Sequence, residues 1–112
     1  MKYAARIDDN HGEIREAARK LGAGWFDCYQ LKNFCDGLLV YRGVTVAIEI
    51  KDGNKPPSSR KLTEGEEKFK GNWEAKGGKY AVIENTEQLT GLLNTIATYR
   101  SKTKEIEAWK NY

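Results

Sequence analysis

The sequence predicts an α/β domain in which helices flank a mixed β-sheet, in the order α-β-β-β-α-β-α. Two β-rich runs, DGLLVYR (36–42) and VTVAIEIK (44–51), are separated by almost nothing around Gly43, which predicts a hairpin. A helical pattern after Thr63 then leads into the short apolar run YAVIE (80–84), the order that places a crossover helix between parallel strands. A chain of 112 residues, 39% hydrophobic and 31% charged, suits one domain with one core, residues 1–112.

Each element has a local cause. Asn10 is placed to N-cap the first helix, with Glu13 closing a reciprocal capping box. Ile14, Ala17, Ala18 and Leu21 follow at helical spacing, and Gly22 or Gly24 ends the run. WFDCYQL (25–31) reads as an aromatic-rich strand ahead of the hairpin. The loop 52–61, DGNKPPSSRK, reads as irregular, because Pro56-Pro57 opposes both helix and ladder. Thr63 and Glu66 form a second capping box, Phe69 and Trp73 sit one turn apart, and Gly77-Gly78 stop that helix. After the apolar strand, Leu89, Leu92, Leu93 and Ile96 make one stripe of a final helix from Thr86. Residues 100–112 read as a weaker helical tail, with Ile106 and Trp109 one turn apart.

Composition removes several classes of function. No apolar run approaches the roughly 20 residues of a membrane span, and the charged start MKYAARIDDNHGE is unlike a secretory signal; a cytoplasmic protein is expected. Cys28, Cys35 and the lone His11 are too few for a structural zinc site. The two cysteines read as reduced structural thiols, with a Cys28–Cys35 disulfide as the alternative. His11, without a nucleophile-elbow motif, reads as a helix-start or surface residue. The net charge of +3 lies entirely within residues 51–79, since the segments on either side are balanced. That concentration points to a polyanionic partner.

The hairpin carries the chemistry. A two-residue turn at Arg42-Gly43 pairs Tyr41 with Val44 and sets Asp36 opposite Glu49. A longer loop that keeps Val40 opposite Thr45 gives the same register; a three-residue loop shifts it. Opposed side chains share a face with Cβ atoms about 4.5–5.5 Å apart. Lys51, two residues beyond Glu49, lies on that face again. Facing carboxylates repel, and a hard divalent cation between them, Mg2+ or Mn2+, removes the repulsion. Such an ion activates water and polarises a phosphoryl oxygen, while Lys51 stabilises the charge that develops. A cross-strand ion pair on a solvated face is the plainer alternative.

The run CDGLLVYRG…IEIKDGNKPPSSRKLTEGEEKF, preceded by RIDDNHGEI (6–14), resembles the PD-(D/E)xK nuclease superfamily, and more closely its small VRR-NUC-type phage and prophage proteins. The similarity covers roughly residues 6–90, with four separated elements in the family's order. The resemblance implies a restriction-endonuclease-like fold and a metal-dependent DNA endonuclease, selective for junctions or flaps. Asp36 and Glu49 would be metal ligands, Lys51 the catalytic lysine, and Glu13 a further metal-site carboxylate unless it only caps its helix. Glu66 stands where the family often has Gln, as an auxiliary site residue or as the cap of Thr63. Cys35 replaces the proline that usually precedes the aspartate. Lys55, Arg60 and Lys61 would contact DNA phosphates, with a solvated loop as the alternative. Phe69 and Trp73 read as core, whereas Trp25 and Trp109 are candidates for a subunit contact. A homodimer would offer one site per strand, and a phage-encoded protein would act in the host cytoplasm. The competing expectations are a non-catalytic nucleic-acid-binding module and a phage-type inhibitor of a host factor.

Overall fold

The computed structural model describes residues 8–100. In chain order the elements are α1 (His11–Lys20), β1 (Gly24–Asp27), β2 (Gly37–Tyr41), β3 (Val44–Ile50), a 3-10 turn (Pro57–Arg60), α2 (Glu64–Ala75), β4 (Lys79–Ile83) and α3 (Thr86–Arg100). The strands lie side by side in sequence order, antiparallel from β1 to β3 and parallel between β3 and β4. The sequence order α-β-β-β-α-β-α and the mixed sheet are therefore both present. The expected tail helix and Trp109 lie outside the described residues.

The β2–β3 turn fixes everything downstream. Arg42 (φ 50°) and Gly43 (φ 80°) are both left-handed, the backbone that a tight two-residue hairpin requires. Tyr41 pairs with Val44 and Gly37 with Ile48, so the register is the one the sequence predicts. Beyond Gly37 the ladder gives way. The Asp36 N–H donates to the Ile48 carbonyl at 3.0 Å, and the Asp36 carboxylate accepts the Ile50 N–H at 2.8 Å.

Alternation along β3 then sorts the side chains between two layers. Val46, Ile48 and Ile50 enter the larger core with Ile14, Leu39 and the apolar stripe of α3. Ala47 enters a smaller cluster with Cys28 and Cys35, against which Phe34, Phe69 and Tyr80 pack. Helices α1 and α3 thus cover one face of the sheet and α2 the other. Glu49 and Lys51, in phase with Ala47, face α2.

Several local expectations change. The first strand ends at Asp27, not Leu31, because Cys28 turns the chain: its N–H bonds the Asp36 carbonyl and its carbonyl accepts the Leu31 N–H. Pro57 starts a short 3-10 turn in the loop expected to be irregular; its fixed φ suits a first helical position. Asn10 does not cap α1 through its side chain. Its amide instead donates to the carbonyls of Lys51 (3.1 Å) and Glu84 (2.9 Å), tying the start of α1 to the ends of β3 and β4. Trp25, considered for a subunit contact, is a core residue only 3% exposed. His11 does start α1 but is buried, between the rings of Trp25 and Tyr29. Both cysteines are buried free thiols.

Candidate active site

Asp36 stands just before β2, Glu49 and Lys51 at the end of β3, and Glu66 in the first turn of α2. These elements meet because α2 begins immediately above the strand ends that the hairpin register aligns. Asp36, Glu49 and Glu66 border one cleft of about 270 Å3, together with Tyr29 and Asn33. Glu49 and Lys51 are only 3% and 8% exposed, so both side chains are largely withdrawn from water.

Glu66 links two tasks. It completes the capping box of α2, accepting the Thr63 N–H at 2.8 Å, and the same oxygen accepts the Lys51 ammonium at 2.7 Å. The helix cap and the contact to Lys51 thus use the same carboxylate oxygen. On the other side, the Tyr80 hydroxyl reaches Glu49 at 3.4 Å from β4. Glu66→Ala should therefore cost about 2 kcal/mol, through the lost cap and a buried ammonium left unpaired, with Glu66→Gln costing less. Urea unfolding measures both; equal stability of all three proteins would mean that this contact holds nothing together.

The carboxylates cannot all be charged at neutral pH. Burial, then the nearness of Glu66 and Asp36, pushes Glu49 far above the usual carboxylate range. Burial also raises Asp36, against the pull of the Ile50 N–H and a hydrogen bond with Glu49. Burial works on Glu66 too, but hydrogen bonds from Glu49 and Lys51 outweigh it and hold this group low. These causes favour the neutral form of Glu49, which relieves its own repulsion with Asp36 and Glu66. Tyr80 is raised as well, by burial and by the nearby Glu49, and remains a phenol. Burial pushes Cys35 up to about 12, so the residue beside Asp36 is an inert thiol.

Other residues singled out in the sequence are dispersed. Glu13 is exposed and opens on a different cleft, with Asp52 and Glu84, so it is not brought together with Asp36 and Glu49. Lys55 pairs with Asp8 at 3.4 Å, and Arg60 with Glu84 at 3.3 Å. These two cations pin the loop to the body of the domain. Lys61 is exposed, directly ahead of the α2 cap.

Two groups escaped the reading of the sequence. Tyr80 pairs with Ala47 and so shares the face of Glu49, but the parallel β3–β4 register has no signature in the chain. The other is Asp27, which accepts hydrogen bonds from Trp25 (2.8 Å) and Arg15 (3.1 Å) and lies 3.0 Å from His11. That network locks α1 to β1 behind Tyr29.

A solved structure described as a VRR_NUC domain superimposes with a TM-score of 0.59, covering 78% of this chain and 97% of that one at 20% identity. The fold is that of a VRR_NUC domain. No family model matches the chain, and no curated protein does. Among the described residues no helix is long and apolar enough to cross a membrane.

On this fold the carboxylates of Asp36 and Glu49 border the same cleft. Among the described residues no group of three or more His, Cys, Asp or Glu side chains is arranged to hold a metal ion. A pair nevertheless fits Mg2+ or Mn2+, which commonly takes one or two carboxylates and keeps several waters.

Proposed function

We propose that this chain is a metal-dependent DNA endonuclease that hydrolyses phosphodiester bonds and selects branched DNA. The observation that carries the reading is a half-buried Asp36 and a buried Glu49 bordering one cleft, with the buried Lys51 two residues beyond Glu49. Asp36 and Glu49 would hold Mg2+ or Mn2+. Bound there, the ion supplies charge against the phosphate and lowers the pKa of the attacking water. Asp36 is oriented for this by the Ile50 N–H, and Glu49 by the Tyr80 hydroxyl. Lys51, steadied by Glu66, donates its N–H bonds to the phosphoryl oxygen on which charge builds. Water adds to phosphorus and the P–O bond to the leaving oxygen breaks, with no covalent bond to the protein. Lys61, at the mouth of α2, supplies a phosphate contact. A homodimer would place one such site on each strand of a branched substrate.

Linear duplex, nicked, flapped and four-way DNA incubated with the protein in Mg2+ or Mn2+ test this reading. Cleavage of the branched forms in preference to linear duplex supports it. Binding without cleavage of any substrate would leave a nucleic-acid-binding module in its place.

A further inference from the structure

A second groove, of about 690 Å3, runs along α2. It meets the carboxylate cleft at Asn33 and Gly65, which border both, so the two are continuous at the start of the helix. Two ridges of α2 form its wall. Glu64, Lys68, Asn72 and the C-cap Lys76 recur every fourth residue, so the ridge is acidic only at its start, and Gly65, Phe69 and Trp73 follow the same spacing one position later. Glu66, which holds Lys51, lies on the same helix one turn before Lys70 and beside the start of these ridges.

The aromatic ridge is rigid. Phe69 and Trp73 stack with centroids 5.4 Å apart and planes 26° from parallel, and Phe34 meets Phe69 edge-on at 5.1 Å. The Trp73 indole N–H donates to the Lys79 carbonyl at 2.7 Å. Gly78 is required beneath it, because a Cβ there would come within 2.5 Å of the indole nitrogen. Both rings are half-buried, and both still line the groove. The lysine ridge is chemically available. Lys51, Lys55 and Arg60 are each committed to a carboxylate, whereas Lys68 and Lys76 are exposed and have no ion-pair partner among the described residues.

We propose that this groove seats an unpaired stretch of the nucleic-acid strand next to the scissile phosphate, with bases against Phe69 and Trp73 and phosphates on Lys68 and Lys76. A ring wall takes the face of a base only when that face is not already stacked in a duplex, and stacking of this kind is indifferent to sequence. Single-stranded DNA satisfies both ridges at once; duplex DNA satisfies only the lysines. The inference rests on the nuclease reading for its scissile phosphate, although strand binding is measurable without cleavage.

Fluorescence anisotropy of a labelled oligothymidylate and of a blunt duplex of equal length, in metal-free buffer, tests the groove. The Lys68→Ala/Lys76→Ala variant should bind the single strand about tenfold more weakly at low salt, with a salt slope about 1.4 shallower. The duplex should lose much less. Trp73→Leu should weaken the single strand by about tenfold while leaving the salt slope unchanged. Unchanged single-strand affinity in the double variant, or an equal loss on duplex, overturns the proposal. Failure of the nuclease reading looks different: the strand would still bind through Lys68 and Lys76 but would not be cut.

Discussion

Lys51→Ala and Glu49→Gln are each expected to lower the rate of DNA cleavage by about a thousandfold, for different reasons. Lys51 is buried and tied to Glu66 at 2.7 Å, so its ammonium is already aimed before substrate arrives. Removing it takes away a donor that acts mainly when charge develops, so kcat should fall even at saturating Mn2+. Glu49→Gln instead removes one of the two carboxylates proposed to hold the cation. Its loss should shrink as Mn2+ is raised, whereas the loss in Lys51→Ala should not. Circular dichroism of both variants checks that the fold survives. Wild-type rates in either variant would remove that residue from the chemistry.

Trp25→Ala is expected to cost about 3–5 kcal/mol, a large fraction of the stability of a domain this small. The indole is 3% exposed and joins the core with Ile14 and Leu39. Its N–H also donates to Asp27 at 2.8 Å, so truncation leaves that carboxylate with His11 and Arg15 alone. Gly37 belongs to the same contact. A Cβ at Gly37 would lie 2.3 Å from the Trp25 ring, so Gly37→Ala must displace a side chain that has nowhere to go, costing about 1–3 kcal/mol. Because Gly37 directly follows Asp36, that displacement would reach the site as well. Midpoints of urea unfolding measure both variants. A loss under about 1 kcal/mol for Trp25→Ala would mean that this face of the core repacks freely.

The hairpin was legible in the chain because side-chain alternation is rigid. Once Arg42-Gly43 turns in two residues, the positions of Asp36, Glu49 and Lys51 follow by counting. The capping box at Thr63 was legible for the same reason, being local. What needed three dimensions was contact between elements distant in sequence. Nothing near Glu66 in the chain announces Lys51, which lies 15 residues away. Glu13 shows the converse. Its spacing from Asn10 fits a cap, yet the Asn10 side chain prefers the carbonyls at the ends of β3 and β4, and Glu13 points to another cleft. The basic loop holds contacts its composition does not announce: Lys55 and Arg60 meet carboxylates of the same chain. His11 is buried because Asp27, on the neighbouring strand, offers it a partner.

The proton on Glu49 gives the carboxylate pair a measurable signature. Its folded pKa lies above the unfolded value of about 4.3, so the buried neutral form contributes stability in full below that pH. The contribution is lost as pH rises towards the folded value, and a cation at Asp36 and Glu49 must displace this proton. Calorimetric titration of Mn2+ into the metal-free protein, repeated in buffers of different ionisation enthalpy, reads ion and proton together. A saturable site releasing up to about one proton per ion, tighter by up to about tenfold per pH unit and much weaker in Glu49→Gln, is the expected result. Absence of saturable binding, or equal binding by Glu49→Gln, would contradict a metal site at the end of the hairpin.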